Sequence, residues 1–566
     1  MPDPTLASMC NAVSGPRMMG HLREFARWVK LSGTPDELTS LSYVNATLYK
    51  YGYRTKLILH DAYISLPGAA RVEVDGGALT SITHSHSQSS PVGGISGKLV
   101  DVGEGLDAEF VGRDLRGCIV LAEGIASPAV ARRASVAGAV GQLHVSPHQH
   151  LHEMCISPVW GSPSSETFSE MPATVACTIS DADGAALRER LARGETPLVV
   201  LHAQVDTGWR KTPILVAEMD GAKAGDDAPF VLFSGHHDTW YYGVMDNGAA
   251  NATMLEVARL CAGQRARWRR GLRLCFWSGH SHGRYSGSTW YVDEHWDELD
   301  RRCVAHVNVD STGGNGATVL ENAAAVSELA ALAGEAIREQ TGHQYVGTRK
   351  ARSSDDSFPG IGIPAMFGSL SQQPPGPVKM RNSLGWWWHT PEDLIDKLDE
   401  KFLVRDTKVF VHVVWRLLAD AVLPLDYAAH ARALQAELER LGKTLDGRFP
   451  LDALRAGAER LRGLAEEVAA RAAAAGPADA ARINHAMMQT SRALVPVDYT
   501  RGDRFTHDAA LPQPPWPTLQ PLRDLAATAP NSDTAQFHTV GAMRARNRVL
   551  YALRQANAAL QAAVTR

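Results

Sequence analysis

Between residues 212 and 424, continuous apolar runs that end in glycine alternate with amphipathic helical patterns. The runs FVLFSG, LRLCFWSG and IPAMFG are almost wholly apolar, which is typical of strands covered on both faces. Buried strands that alternate with helices predict an α/β fold with a doubly wound, mainly parallel sheet. Ligands of such sheets bind at the carboxyl ends of the strands, so polar residues there are the first candidates for a functional site.

The regions on either side of this segment have different patterns. Residues 59–204 contain short β-rich runs between Gly, Pro and Ser clusters, which predicts an inserted β-rich domain. Residues 425–566 are rich in Ala, Leu, Arg and Glu at amphipathic spacing, which predicts a helical domain. Residues 1–58 also have a helical pattern, and we expect them to join residues 205–424 in one discontinuous domain.

The composition excludes several classes of function. The formal net charge is −4, so the chain lacks the basic character of a nucleic-acid-binding protein. No apolar run approaches the ~20 residues of a membrane-spanning helix, and we expect no membrane partner. The first residues show no secretory signal pattern. The cysteines include no CxxC pair, which indicates reduced thiols and a cytoplasmic location.

Acidic residues and histidines stand at the ends of the predicted strands. His236, Asp238 and Asp246 lie in SGHHDTWYYGVMDN, directly after one strand. Asp310 ends the run NVD, and His389 lies at an expected third strand-to-helix junction. Imidazole and carboxylate are the usual zinc ligands, and one carboxylate can bridge two metal ions. A lone Asp at a strand end is more often a helix cap, but three converging ends favour a metal site.

At these residues the chain resembles the co-catalytic zinc aminopeptidases, in particular the branch that contains glutamate carboxypeptidase II and the transferrin receptor. The insert is similar to the protease-associated domain of that branch, and the C-terminal region to its helical dimerisation domain, which implies a homodimer. The resemblance implies that His236 and Asp310 bind one metal ion, that Asp246 bridges two ions, and that His389 binds the second. It also implies that Asp238 orients His236.

The segment from Trp277 to Gly283 departs from the family pattern. The family has two adjacent glutamates here, a general base and a ligand of the second metal ion. This chain has His280, Ser281 and His282, and the two positions are either His280 and Ser281 or Ser281 and His282. Because neutral serine is a poor zinc ligand, we expect one tightly bound zinc and a second that is weak or absent. One histidine could replace the lost ligand, and the other could act as general base.

Aromatic residues near the last expected ligand suggest the kind of substrate. Trp387 and Trp388 precede His389, and Phe367 lies in the last predicted strand. Trp388 stands where the resembling carboxypeptidase has a tyrosine that steadies the oxyanion, and its indole N–H can donate. No counterpart of that enzyme's basic patch is evident. We therefore expect a peptide or small amide substrate with an apolar or aromatic group. A histidine cluster at residues 144–152 is interpreted as a solvated loop.

These features predict a metal-dependent hydrolase of amide or peptide bonds, aminopeptidase- or carboxypeptidase-like, with an altered active site. In this reading His280 or His282 accepts a proton from water. Two alternatives stay open, because a fold does not decide a function. One is a catalytically inactive binding or scaffold protein, which predicts no stoichiometric metal. The other is a hydrolase of a small non-peptide amide, ester or lactone, which predicts metal but no activity on aminoacyl anilides.

Overall fold

The computed structural model describes residues 3–221, 227–377 and 383–565. Its strands belong to one continuous mixed sheet. In chain order the strands are β1 (Arg54–Val74), β2 (Gly77–Leu79), β3 (Ile82–Thr83), β4 (Ile95–Asp101), β5 (Cys118–Glu123), β6 (Gly141–Val145), β7 (Val175–Ile179), β8 (Leu198–Met219), β9 (Phe230–His236), β10 (Gly271–Trp277), β11 (Cys303–Asp310), β12 (Ala324–Ala325), β13 (Thr348–Arg349) and β14 (Ala365–Ser369).

Helices cover this sheet and form the C-terminal region. Those that precede β9 are α1 (Pro4–Asn11), α2 (Gly15–Phe25), α3 (Pro35–Lys50), α4 (Pro128–Val136) and α5 (Asp181–Ala192). The later ones are α6 (Ala250–Ala262), α7 (His280–Gly283), α8 (Ser286–Glu294), α9 (Trp296–Arg302), α10 (Ala330–Thr341), α11 (Glu400–Ala419), α12 (Tyr427–Leu445), α13 (Asp452–Ala472), α14 (Pro477–Tyr499), α15 (Gln520–Ala527) and α16 (Asp533–Val564).

The centre of the sheet is parallel and buried on both faces. Strand β9 pairs in parallel with β10 and β11, and β11 pairs in parallel with β14. Alternate residues of β9 enter two different cores: Val231 and Phe233 pack with α6 and α11, whereas Phe230 and Leu232 pack with α8 and α9. The antiparallel pairs β8–β10 and β12–β14 flank this centre. The predicted α/β fold with a mainly parallel sheet is confirmed.

Two long antiparallel strands link the central sheet to the insert. Strands β1 and β8 pair along nearly their whole length. The last part of β8 pairs with β10, whereas its first part pairs with β4. Strands β4 to β7 continue the sheet in parallel order and enclose a separate apolar core. The predicted limits of the insert, residues 59 and 204, therefore fall inside β1 and β8.

The C-terminal region consists of the helices α12 to α16. Helix α16 packs against α13, α14 and α15. The spacing of its buried residues, for example Val549, Leu553 and Leu560, is the amphipathic pattern that the sequence shows. Within the described residues, no helix is both long and apolar enough to cross a membrane. The seven cysteines are all free thiols, and six of them are buried.

A buried ion pair joins this helical region to the central domain. Oε2 of Glu328, just before α10, lies 3.1 Å from Nδ1 of His430 on α12, and both side chains are fully buried. Burial alone would lower the pKa of His430, but the Glu328 carboxylate raises it. A histidine pKa above its unfolded value of ~6.5 stabilises the fold below that pH, and the contribution is lost as pH rises through the folded-state pKa.

We expect His430→Gln to lower the free energy of unfolding by about 3–5 kcal/mol at pH 6, because Glu328 is then buried without a positively charged partner. The cost should be smaller at pH 9, because the contribution of the pair declines as pH rises through the folded-state pKa of His430. Thermal unfolding at both pH values measures this. His485→Gln, at an exposed position on α14, is the control and should change stability by less than about 0.5 kcal/mol. An equal loss at both pH values would contradict the ion pair.

Candidate active site

Two of the expected ligands end neighbouring parallel strands. His236 is the last residue of β9, and Asp310 is the last residue of β11. Asp246 reaches the same edge of the sheet from the turn that leads into α6. Its Oδ1 lies 3.2 Å from Nε2 of His236, and Oδ1 of Asp310 lies 3.6 Å from the same nitrogen. The three side chains converge at the carboxyl end of the sheet, where such folds bind ligands.

His389 contacts the other oxygen of Asp246. Its Nε2 lies 3.1 Å from Oδ2 of Asp246. Asp246 thus presents one oxygen to each histidine, which is the arrangement in which a carboxylate bridges two metal ions. The expectation that His389 marks a strand-to-helix junction is wrong. It lies in the long loop between β14 and α11, with a backbone φ of +61°.

Backbone carbonyl groups orient both histidines. Nδ1 of His236 lies 2.8 Å from the carbonyl oxygen of Asp238. Nδ1 of His389 lies 2.7 Å from the carbonyl oxygen of Glu153, a residue of the insert. Because a carbonyl oxygen only accepts hydrogen bonds, Nδ1 carries a proton in both rings, and Nε2 is the nitrogen that faces Asp246.

The carboxylate of Asp238 has a different role from its backbone. It lies 3.8 Å from Nδ1 of His236, beyond hydrogen-bonding distance. Instead it accepts hydrogen bonds from the hydroxyl of Ser32 at 2.7 Å and from the backbone N–H of Ser281 at 2.9 Å. Asp238 therefore contacts His236 through its main chain, and its side chain ties α7 to the N-terminal segment.

The environment of the ligands favours a cation. Nε2 of His236 and Oδ1 of Asp246 are buried and have no hydrogen-bond partner. Burial alone would lower the pKa of His236, but Asp246 and Asp310 raise it well above its usual value. Burial would raise the pKa of Asp246, but His236 and His389 lower it well below its usual value. Such a site stabilises positive charge, and its nitrogen and oxygen donors suit zinc.

The first histidine of α7 faces the ligands. His280 lines the cavity in front of them, and one of its ring nitrogens lies within 4.8 Å of ligand atoms of His236 and Asp310. The rings of His280 and His236 stack with centroids 3.7 Å apart and an interplanar angle of 11°. The in-plane lone pairs of nearly parallel rings do not converge on one ion. His280 therefore lies beside the position that a metal ion bound to His236 would take.

The second histidine of α7 faces away from the cavity. His282 is fully buried, and it is not among the described residues that line the cavity. Its Nδ1 lies 2.9 Å from the hydroxyl of Ser32, and its ring lies 4.3 Å from that of Trp240. Burial lowers the pKa of His282 to about 3. The structure thus brings His280 and Ser281, rather than His282, to the cavity.

The cavity has a volume of about 560 Å³, and the insert and the C-terminal region complete its wall. Trp388 and Phe367 line it. Trp387 is not in the described part of the wall, and its Nε1 donates to Sδ of Met245 at 3.4 Å. The expectation of an apolar, aromatic pocket describes only part of the wall. Four basic residues line it as well: Arg284, Arg349, Lys350 and Arg352.

Two of these four cations lack a carboxylate partner in the described part of the chain. Arg349 pairs with Asp498 at 2.7 Å and Lys350 with Asp356 at 2.5 Å. Nη1 of Arg352 donates to the carbonyl of Asp508, and its guanidinium lies 3.8 Å from the ring centroid of Trp160. Nη2 of Arg284 donates to the carbonyl of Ala510 at 3.3 Å. The cavity wall therefore holds two cations that are not paired with a carboxylate, in addition to the carboxylates of Asp246 and Asp310.

The histidine cluster of the insert contacts the loop that carries His389. His152 is almost fully buried, and its Nδ1 lies 2.5 Å from the carbonyl oxygen of Trp388. The ring of His150 stacks on Trp386 with centroids 4.2 Å apart. The interpretation of residues 144–152 as a solvated loop is therefore wrong. The segment holds the ligand loop in place, and the spacing of its histidines gave no signal of that packing.

Two buried aspartates at the site were missed in the sequence. Asp393 accepts hydrogen bonds from the backbone N–H groups of Met245 and Asp246, at 2.9 and 3.0 Å, and so fixes the turn that presents Asp246. Burial raises the pKa of Asp393 to about 7. Oδ2 of Asp355 lies 2.7 Å from Nδ1 of His280. The adjacent aspartates in SSDDSF, just before an apolar run, were the available signal for Asp355.

Known proteins share this sequence pattern and fold. Residues 215–414 match the sequence profile of peptidase family M28. The chain is 22% identical over 551 residues to "Probable glutamate carboxypeptidase AMP1" of Arabidopsis thaliana, a match that covers 81% of this chain and 75% of that protein. It is 25% identical over 277 residues to "Probable glutamate carboxypeptidase VP8" of Zea mays, which covers 45% of this chain and 38% of that protein.

Solved structures of two bacterial peptidases have the same fold. The zinc aminopeptidase of Bacillus subtilis superposes with a TM-score of 0.56 at 18% identity, over 72% of this chain and 95% of that one. The peptidase M28 precursor of Shewanella amazonensis superposes with a TM-score of 0.58 at 18% identity, over the same shares of the two chains. The matched residues 215–414 contain β9, β11 and all four expected ligands. The segment that carries these residues is therefore similar in sequence to peptidase family M28, and the fold is that of the zinc aminopeptidases.

Proposed function

We propose that this protein is a metal-dependent hydrolase of amide or peptide bonds in which a histidine replaces the usual glutamate base. The position of Asp246, with one oxygen on each of two buried histidines beside a large cavity, is the observation that carries the proposal. The peptidase names of the related proteins support it.

The donor set predicts unequal binding of two metal ions. His236, Asp246 and Asp310 would hold one zinc ion with three ligands. Asp246 and His389 would supply only two ligands for a second, because Ser281 is neutral. Zinc in the first position would act as a Lewis acid towards the carbonyl oxygen and make a bound water more acidic.

In the proposed reaction His280 moves the proton. Its free ring nitrogen accepts a proton from water, and the water oxygen attacks the carbonyl carbon. His280 then donates the proton to the leaving nitrogen as the C–N bond breaks. One water is consumed, and an acid and an amine are released. Ser281 takes no part in the proton transfer.

The basic wall favours a substrate that carries a carboxylate. Of the Arg and Lys residues that line the cavity, Arg352 and Arg284 have no carboxylate partner in the described structure, so a substrate anion can bind them without displacing an ion pair. This proposal adds a carboxylate to the peptide or small amide substrate with an apolar or aromatic group that the sequence predicts. The aromatic rings of Trp388 and Phe367 also line the cavity, and they can contact an apolar group of the same substrate.

We expect Arg352→Gln to raise KM for a substrate with a free carboxylate by about 10-fold or more, because a charge-assisted hydrogen bond contributes ~1.5–3 kcal/mol. Benzoyl-Gly-Phe is the probe, and its C-terminal amide is the matched control, for which KM should not change. Steady-state kinetics of both substrates measure the difference. An equal rise for both would show that Arg352 shapes the cavity without binding the carboxylate.

A substrate panel on zinc-loaded protein tests the proposed function. It contains benzoyl-Gly-Phe, its amide, leucine 4-nitroanilide and phenyl acetate. Cleavage of the peptide with the free carboxylate is the expected result. Activity on phenyl acetate alone would favour the non-peptide hydrolase. Absence of both zinc binding and turnover would favour the scaffold protein, and zinc binding without turnover of any member would contradict the proposed function.

We also propose that the protein is a homodimer through the exposed face of α16. Phe537, Val540 and Tyr551 lie on this face with exposed fractions of 74%, 43% and 58%. We expect about twice the 61.2 kDa chain mass in light scattering. Val540→Glu should yield monomer, because it buries a charge in the interface. Val136→Glu, an exposed apolar position on α4, is the control. A monomeric native protein would refute the dimer.

A further inference from the structure

A buried carboxylate stands directly behind the proposed base. Oδ2 of Asp355 lies 2.7 Å from Nδ1 of His280. The side chain of Asp355 is 1% exposed and that of His280 is 13% exposed. Because an ionised carboxylate only accepts, Nδ1 of His280 carries the proton, and Nε2 is the nitrogen left with a free lone pair. His280 lines the cavity, whereas Asp355 is not in its wall.

Asp355 is itself held from two directions. The hydroxyl of Ser288 on α8 donates to Oδ1 at 2.8 Å, so each carboxylate oxygen has its own partner. The backbone of Ser354 and Asp355 has φ values of +49° and +59°, in the left-handed region that non-glycine residues rarely adopt. With this backbone conformation, both neighbouring side chains point into the site: Asp355 contacts His280, and Ser354 contacts Asp310.

The same loop thus contacts both sides of the site. The hydroxyl of Ser354 donates to Oδ2 of Asp310 at 2.5 Å, on the side of the carboxylate away from His236. One loop therefore fixes a metal ligand and the proposed base relative to each other. Strained backbone of this kind persists where the surrounding structure holds it, and it is common at functional sites.

The neighbouring histidines do not have such a partner. Nδ1 of His236 is bonded to a backbone carbonyl, and Nδ1 of His282 lies 4.0 Å from the nearest oxygen of Asp238 and bonds a serine hydroxyl. A carboxylate on Nδ1 fixes the tautomer and stabilises the imidazolium that forms when Nε2 takes up a proton. Among these three rings, only His280 has this arrangement.

We infer that Asp355 is a positioning residue that makes His280 a proton acceptor in place of the missing glutamate. The effect of Asp355 on catalysis rests on the proposed function. Its effect on the orientation and tautomer of the His280 ring does not. The proton passes from water to Nε2 of His280 and then to the leaving nitrogen. Asp355 keeps its charge throughout and exchanges no proton.

Asp355→Asn tests the inference by kinetics and by NMR. With benzoyl-Gly-Phe we expect kcat to fall by roughly 10²-fold or more, with KM within about threefold and bound zinc unchanged. Asp406→Asn is the matched control. It removes another fully buried carboxylate, one that contacts Ser371, Arg405 and Gly313 away from the cavity wall. Its kcat should stay within about threefold of the native value.

Ring-nitrogen NMR of ¹⁵N-histidine-labelled protein gives a readout without turnover. The signal of His280, assigned by its loss in His280→Gln, should show protonated Nδ1 and unprotonated Nε2 in native protein. In Asp355→Asn the Nε2-protonated form should appear. Native protein with Nε2 protonated, or an unchanged tautomer in the variant, would overturn the inference. If His280 shows the expected tautomer but the protein hydrolyses no substrate, Asp355 still positions the ring, and the proposed function is refuted.

Discussion

Asp246→Ala is expected to abolish stoichiometric zinc binding, with bound zinc falling from about one per chain to below about 0.1. The reason is geometric: Asp246 is the one ligand that contacts both histidines, at 3.2 and 3.1 Å. Its removal leaves His236 with Asp310 on one side and His389 alone on the other, and stable zinc sites in proteins use three or four protein ligands. Metal analysis by mass spectrometry after dialysis measures the change.

His389→Ala separates the two proposed metal positions. Because this variant removes a ligand of the second position alone, it should keep about one zinc per chain, whereas Asp310→Ala should lose most of it. Asp406→Asn controls for the loss of a buried carboxylate elsewhere in the fold. Equal and tight binding of two zinc ions by native protein would contradict the reading of Ser281 as a missing ligand.

His280→Ala is expected to reduce kcat by about 10²–10⁴-fold while zinc content stays the same, because the residue transfers a proton and does not bind the metal. The parallel stacking on His236 is the observation behind this separation. His282→Gln provides the comparison: a residue outside the cavity wall should change kcat by less than about tenfold. Stopped assays on benzoyl-Gly-Phe and metal analysis of the same samples measure both quantities.

Loss of zinc in His280→Ala would assign this histidine to the metal instead. The proposed role would then be wrong, and the base would have to be sought elsewhere in the cavity. An unchanged kcat with zinc retained would likewise exclude His280 as the base.

The ligands at strand ends could be predicted because the pattern is local. A buried run that ends in His236 or Asp310 fixes where the side chain lies, since parallel strands share one edge. His389 lies at the site for a reason that its local sequence does not show, because hydrogen bonds between its loop and the insert position it. Those contacts join residues more than two hundred positions apart, and no local pattern encodes them.

Which residues line the cavity also depends on contacts between distant parts of the chain. Trp387 and Trp388 are neighbours in sequence, yet only Trp388 is in the described wall, because the loop turns between them. Arg284 and Arg352 come from different segments and meet there only in the folded chain. The proposed role of Asp355 depends on its contact with His280, a residue 75 positions earlier in the chain. The sequence could therefore indicate a metal site. It could not indicate which cations line the cavity, or that Asp355 contacts the proposed base His280.

Hydrolysis of benzoyl-Gly-Phe, measured as zinc is returned to metal-stripped protein, tests whether the protein is a zinc-dependent hydrolase. We expect activity to rise in proportion to bound zinc, to reach its plateau at about one zinc per chain, and to be absent in Asp246→Ala at every zinc concentration. Stoichiometric zinc binding without hydrolysis, or hydrolysis that does not depend on zinc, would contradict the proposed function.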